Sequence, residues 1–214
     1  MQFSYVNKFL PKIKKIDLPG ENAHRIMAPE FRLESLKQKY DYTKAKKAGV
    51  LILFYPDDNA NTRFVLILRK TYKGVHSNQV ALPGGRYEIE DGNLIQTALR
   101  ETEEEIGVDA KSIKVIRPLT ELFIPPSNFL VKPTLASIDY KPIFIKQETE
   151  VERIISVDLS EFLMQSEVQI KPIKTSYADE KEVQTFHING YTVWGATAMM
   201  LSELKVVLKS AGVI

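Results

Sequence analysis

The chain has no cysteine in its 214 residues. That excludes disulfides, iron–sulfur clusters, thiolate zinc sites and a cysteine nucleophile, and it fits a reducing compartment. Net charge is nearly absent as well: 29 basic against 27 acidic side chains leave +2. No overall field marks the protein for nucleic acid. Long apolar runs are missing too, since no stretch reaches the roughly 20 residues that span a bilayer. Within MQFSYVNKFLPKIKKIDLPG, Asn7, Lys8, Pro11 and Lys12 interrupt any signal-peptide core, and the final Ala-Gly-Val-Ile is no peroxisomal address. The expectation is a soluble cytoplasmic protein that engages neither membrane nor nucleic acid. There is no internal repeat and no low-complexity tract. Hydrophobic residues at 44% and charged residues at 26% place the chain among globular proteins rather than disordered ones.

Charge is uneven along the chain. The first 49 residues hold 11 Lys/Arg and 5 Asp/Glu, a local +6, and the remainder is −4. Residues 1–47 read as a basic, helical extension with solvated lysines, or as an arm that attracts a polyanionic substrate. Residues 48–214 read as the main domain.

From Gly49 the pattern turns β-rich. The apolar runs Val50–Phe54 and Phe64–Leu68, separated by the turn cluster Tyr55-Pro56-Asp57-Asp58-Asn59, predict a buried hairpin. Further strands are expected at 79–82, 113–118, 129–138, 151–157 and 182–187. Helices are expected at 93–106, with Asp91 as N-cap and Gly107 just past the end, and at 196–210. Such a mixture predicts an α/β sandwich in which helices pack on a mixed sheet.

The segment LPGGRYEIEDGNLIQTALRETEEEIGV, residues 82–108, carries the chemistry. Glu101, Glu104 and Glu105 share one helix face at i, i+3 and i+4, where like charges cost about 0.2–0.5 kcal/mol per pair. Glu104 and Glu105 also sit at the helix end that the dipole makes unfavourable for anions. Binding a hard divalent cation such as Mg²⁺ resolves the conflict; a solvated acidic helix end is the plain alternative. Gly84-Gly85 lets backbone approach a metal or phosphate closely, although most Gly-Gly pairs are simply turns.

Taken together these residues resemble the Nudix box, Gly-x5-Glu-x7-Arg-Glu-U-x-Glu-Glu-x-Gly-U with U apolar. Arg100 through Val108 supply its second half, with Thr102 at one U position. Asp91 stands where the first Glu is expected, and eight residues rather than seven separate it from Arg100. A box one residue longer is similar to that of the coenzyme A pyrophosphatase subfamily. So is the upstream run from Leu66 to Gly85, in which Arg69, His76, Gln79, Val80, Pro83, Gly84 and Gly85 match. Lys70, Lys73, Gly74, Asn78 and Leu82 depart from it. Glu150-Val151 and Val193-Trp194-Gly195-Ala196-Thr197-Ala198 look like later pieces of that subfamily, so the resemblance covers roughly residues 48–210.

The resemblance implies a Nudix α/β/α sandwich and hydrolysis of a phosphoanhydride in a nucleoside diphosphate derivative, with Mg²⁺ or Mn²⁺ as cofactor. Coenzyme A or its thioesters are the implied substrates. ADP-ribose, a dinucleotide or an oxidised nucleotide are the alternatives, and a homodimer is compatible. Glu101, Glu104 and Glu105, with a Gly85 carbonyl, are implied metal ligands. Arg100 is implied to fix a carboxylate rotamer. The general base is a box glutamate or a later one among Glu148, Glu150 and Glu152, with Glu150 foremost. Arg69, His76, Gly84, Gly85 and Arg86 are implied substrate contacts. Lys70 and Lys73 flank them, and Trp194 either stacks on adenine or packs in the core. A non-catalytic sensor would need a DNA-binding domain beyond Ile214 and would be expected to have lost box acids that are intact here.

Overall fold

The computed structural model describes residues 1–36, 42–71, 77–165, 168–173 and 180–214. Four short helices lead the chain: α1 (Phe3–Asn7), α2 (Leu10–Ile13), α3 (Glu21–Ile26) and α4 (Glu30–Leu36). The main sheet follows as β1 (Lys46–Pro56), β2 (Thr62–Arg69), β3 (Val80–Ala81), β4 (Gly84–Arg86), β5 (Lys114–Pro118), β6 (Leu122–Ile124), β7 (Phe129–Ser137) and β8 (Val151–Asp158). Helix α5 (Leu94–Ile106) interrupts it after β4, and α6 (Leu159–Met164) follows β8. A small antiparallel sheet, β9 (Gln169–Ile173), β10 (Lys181–Ile188) and β11 (Tyr191–Trp194), leads into α7 (Gly195–Ala211).

The main sheet is mixed, as expected. Its path runs β3-β2-β1-β7-β5, with β4 on β1, β6 on β7 and β8 on β2. Only β1 and β7 run parallel among the described pairs. The expected hairpin forms with Phe54 opposite Phe64. Alternate residues of the central strands then feed two cores. Leu51, Leu53, Val65 and Ile67 face α5, packing on Ala98, Leu99 and Ile106. Ile52, Phe54, Phe64 and Leu66 face α7, packing among Leu201, Leu204 and Leu208. Both faces are covered, which makes the three-layer sandwich.

Several local expectations change. The strand at 79–82 shortens to β3, and a separate β4 follows at Gly84, because Pro83 lies between them and cannot donate to a ladder. Asp91 is not the cap of α5. Asn93 is: its Oδ1 accepts from Ile95 N–H at 3.0 Å and Gln96 N–H at 3.1 Å. Asp91 lies two residues before that cap and is used elsewhere. Gly107 does terminate the helix in the left-handed region (φ +74°), accepting no Cβ because Ile145 lies against it. The strands at 122–124, 169–173 and 191–194 and the helix at 159–164 were not foreseen.

The leading helices keep their lysines in solvent but bury Phe3, Val6, Ile13, Met27 and Ala28 in the α7-side core. Polar contacts fix them there. Arg117 donates to the carbonyls of Ile13 and Ile16 at 2.8 and 2.7 Å. Ser202 Oγ of α7 donates to the carbonyl of Ala23 at 2.8 Å. His24 Nε2 lies 3.0 Å from Oε2 of Glu203, and both side chains are buried. Thr120 completes that carboxylate's shell with its N–H (3.2 Å) and its hydroxyl (2.6 Å). Among the described residues, no helix is long and apolar enough to cross a membrane.

Candidate active site

Helix α5 presents its acids to the β4 corner. Gly85 pairs with Gly49 of β1, and both positions face α5. A Cβ on Gly85 would fall 2.3–2.5 Å from the carboxyl atoms of Glu101. Glycine is therefore required for that carboxylate to lie flat on the strand. One turn later the Glu105 carboxylate is only 2% exposed. Its Oε2 accepts from the Gly84 N–H at 2.8 Å. Its Oε1 faces Nη1 of Arg69 at a long 3.4 Å. Arg69 is aimed there from the end of β2, at a register shift between β2 and β8. Its Nε is buried and has no hydrogen-bond partner among the described residues.

That shell is thin for a buried charge. Burial pushes the Glu105 carboxyl up to about 8, against the Gly84 N–H and the Arg69 charge, and the charges of Glu101 and Glu150 push the same way. Burial also raises Glu101, against Arg100, with Glu104 and Glu150 adding to the rise. Two neighbouring carboxylates that resist ionisation in the free protein are what a divalent cation would relieve. The residues thus fit such an ion. Among the described residues, no three candidate ligand side chains close on one point. Glu104 accounts for part of that: it is 55% exposed and bound to Nη1 of Arg100 at 3.0 Å, on the solvent side.

Arg100 is the hub of the box. Its Nε donates to Asp91 Oδ1 at 2.7 Å and its Nη2 to Asp91 Oδ2 at 3.1 Å, a two-pronged pair. Nη2 also donates to the Arg86 carbonyl and lies 3.1 Å from Glu101. The Asp91 carboxyl is held far below the usual range, chiefly by the Arg100 hydrogen bond. Thr97 adds a hydroxyl bond to it at 2.8 Å. The Asp91 that sequence spacing placed at the first-Glu position is therefore a brace for Arg100, and Arg100 in turn orients Glu101 and Glu104. Thr102, at an apolar position of the box, is buried and returns its hydroxyl to the Ala98 carbonyl at 2.6 Å.

The segment after β7 straps the end of α5. Ile145 and Gln147 donate their N–H groups to the carbonyls of Ile106 and Glu105, both at 2.9 Å. These are carbonyls that a helix end leaves unsatisfied. The strap then turns and delivers Glu150, whose charge acts on both Glu101 and Glu105. Its two candidate companions are elsewhere: Glu148 pairs with Lys146 at 3.1 Å, and Glu152 is exposed on β8. Arg86 has an exposed side chain beside the glycine corner. Lys70 is half-buried, and its N–H donates to the Glu150 carbonyl at 2.9 Å. His76 and Lys73 lie outside the described residues. Trp194 is half-buried at the start of α7 and lines an apolar groove with Ile124, Pro125 and Met199. The strap and the Asp91–Arg100 brace were missed by sequence reasoning; an arginine nine residues from its aspartate obeys no helical spacing that would announce it.

The NUDIX domain pattern matches residues 45–176. The chain belongs to the NUDIX domain family. It is a Nudix hydrolase, acting on phosphoanhydride bonds, in a family that generally uses divalent metal cations. Among its relatives is the peroxisomal coenzyme A diphosphatase of Caenorhabditis elegans, 32% identical over 79% of this chain and 74% of that protein. Nudix hydrolase 15, mitochondrial, of Arabidopsis thaliana is 31% identical over 78% of this chain and 60% of that protein. The Nudix fold is shared with a MutT/nudix family protein from Enterococcus faecalis (TM-score 0.51, 17% identity, 84% of this chain and 68% of that one). It is shared also with RenU of M. Smegmatis (TM-score 0.50, 14% identity, 79% and 88%).

Proposed function

We propose that this Nudix hydrolase cleaves the phosphoanhydride of coenzyme A or its thioesters, giving 4′-phosphopantetheine (or its acylated form) and adenosine 3′,5′-bisphosphate. The observation that carries the reading is the approach of Arg69 to Glu105. Arg69 belongs to the upstream run that resembles the coenzyme A subfamily, and Glu105 belongs to the box. Their contact makes one site of two motifs. The similarity to a coenzyme A diphosphatase supports the same substrate.

In this reading Glu101 and Glu105, with Glu104 after a rotamer change and a carbonyl of the glycine corner, hold Mg²⁺ or Mn²⁺. Such an ion, when bound, supplies charge neutralisation on the diphosphate and a lowered pKa for water. The remaining work belongs to the chain. Arg100 keeps the Glu101 and Glu104 side chains in place. Glu150 orients the attacking water and takes its proton, so that oxygen attacks phosphorus in line with the departing phosphate. Arg69 and Arg86 steady phosphate oxygens, one of Arg69, Lys70, Lys73 and Arg86 meets the 3′-phosphate, and His76 is assigned to the same substrate side. The groove beside Trp194 offers an apolar wall to a part of the substrate that does not react. The cysteine-free composition supports a cytoplasmic setting.

A second reading keeps the chemistry and changes the substrate to ADP-ribose, a dinucleotide or an oxidised nucleotide. Lys70, Lys73, Gly74, Asn78 and Leu82, where the upstream run departs from the subfamily, favour it. The test is hydrolysis of coenzyme A, dephospho-coenzyme A, ADP-ribose and NADH with Mg²⁺ or Mn²⁺. A clear preference for coenzyme A is expected. Comparable kcat/KM on all of them would reject coenzyme A specificity.

A further inference from the structure

We infer that Gln147 is a positioning residue for Glu150: it folds the 147–151 turn that sets Glu150 against Glu101 and Glu105. The inference deepens the proposed mechanism and rests on Glu150 taking part in the reaction. Five hydrogen bonds of one residue carry it. Gln147 Oε1 accepts from both the N–H (2.6 Å) and the hydroxyl (2.9 Å) of Thr149. Gln147 O accepts from Val151 N–H at 2.9 Å and from Glu150 N–H at 3.3 Å. Gln147 N–H donates to the carbonyl of Glu105 at 2.9 Å. The turn that bears Glu150 is therefore closed by Gln147 and tied by the same residue to the backbone of Glu105. On its far side the Glu150 carbonyl accepts from Lys70 N–H, which leaves the turn held at both ends.

The main-chain bonds survive substitution; the side-chain bonds to Thr149 do not. Without Oε1, the Thr149 N–H loses its partner inside the turn, and Glu150 samples positions away from the metal-binding pair. A side-chain amide closing on the N–H two residues ahead is the arrangement that asparagine makes in an Asx turn. Asparagine at 147 retains a neutral acceptor for that N–H, whereas alanine has none. Misplacement of a reacting group by about 1 Å can cost up to a hundredfold in rate, so a partial loss of order is worth a measurable fraction of that.

The experiment uses the full chain with Mg²⁺ and whichever of coenzyme A and ADP-ribose it hydrolyses faster. Wild type, Q147A, Q147N, E150Q and Q147A/E150Q are compared for kcat, KM and melting temperature. Q147A is expected to lower kcat about tenfold with KM within about twofold, and Q147N to recover most of that loss. E150Q alone is expected to lower kcat further, and adding Q147A to it should change kcat by less than about twofold, because the group being positioned is already gone. Losses that multiply in the double variant, with E150Q itself impaired, would overturn the positioning role and leave the reading of Glu150 standing. A wild-type kcat in E150Q would overturn the reading of Glu150 and the positioning role with it. A role confined to stability would lower the melting temperature of Q147A and leave kcat alone, which also overturns it.

Discussion

Two glutamates are buried on opposite sides of the same sheet, and the protein treats them differently. Glu203, on α7, is fully enclosed and its carboxylate is met by the Thr120 N–H, the Thr120 hydroxyl and His24. Glu105, on α5, is almost as deep but has one short bond, from Gly84, and a long approach from Arg69. Burying a carboxylate is costly unless its lone pairs are satisfied. On the α7 side the chain meets that cost itself, and the result is a rivet between the leading helices and the sandwich. On the α5 side it leaves the cost open, and the deficit is one that a cation can fill. Burial alone does not tell these two acids apart; the count of donors around each does.

The comparison breaks most sharply at Glu105. Glu105→Gln removes the carboxylate charge at constant shape, and on the proposed reading kcat with Mg²⁺ should fall about a thousandfold, roughly 4 kcal/mol of transition-state stabilisation. The metal-free protein should melt no lower than wild type at pH 8, and the rise in melting temperature on adding Mg²⁺ should disappear. Near wild-type turnover would show that Glu105 holds no essential cation. The matching change on the other side, Glu203→Ala, strands the Thr120 donors and His24. It should cost about 3 kcal/mol of stability, by analogy with a buried pair that loses one partner. The specific activity of the folded fraction should stay within about twofold. Lost activity with an unchanged denaturation midpoint would place Glu203 in the chemistry instead.

Glycines on β1 and β4 sharpen the same contrast. A Cβ on Gly85 meets the end of the Glu101 side chain, which can swing away. Gly85→Ala should therefore lower kcat about a hundredfold by displacing that carboxylate while changing the melting temperature little. A Cβ on Gly49 meets the Leu94 carbonyl at 2.1 Å and the Ala98 nitrogen at 2.9 Å, which are helix backbone. Gly49→Ala should push α5 off the sheet and show first as poor folding. Equal melting temperatures for these two variants would mean that the helix is free to slide over β1.

The main-domain elements were legible because their signals are periodic: apolar runs for β1 and β2, a 3.6-residue stripe for α5, acids at i, i+3 and i+4. The glycine corner was legible because two adjacent glycines after a strand have few other uses next to an acidic helix. What escaped was set by geometry between distant segments. Asp91 reads as a cap because it is an aspartate near a helix start, yet Asn93 holds the position from which Oδ1 reaches the first free N–H groups, which releases Asp91 to Arg100. The leading helices read as a solvated basic arm because four- to seven-residue helices show too little periodicity to reveal an apolar face. Their burial of Val6, Ile13 and Met27 is a property of the sheet face they meet. The short edge strand β9 carries only exposed or half-exposed residues and β11 buries only Val193, so no apolar run announces them.

The smallest effect is also the most direct reading of the open deficit at Glu105, and it concerns pH. The Glu105 carboxyl moves from an ordinary value near 4.5 up to about 8 on folding, chiefly through burial. Between those values the folded protein binds this proton and the unfolded chain does not. The stabilisation is thus fully present below about pH 4.5 and is lost as pH rises through about 8. In chelator, the melting temperature of wild type should fall relative to that of Glu105→Gln as pH is raised from about 6 to 9. Mg²⁺ should close the gap at the alkaline end, since a cation takes the deprotonated carboxylate and competes with its proton. Parallel wild-type and Glu105→Gln curves in chelator would mean that water or Arg69 already satisfies this carboxylate, and the distinction between the two buried acids would vanish.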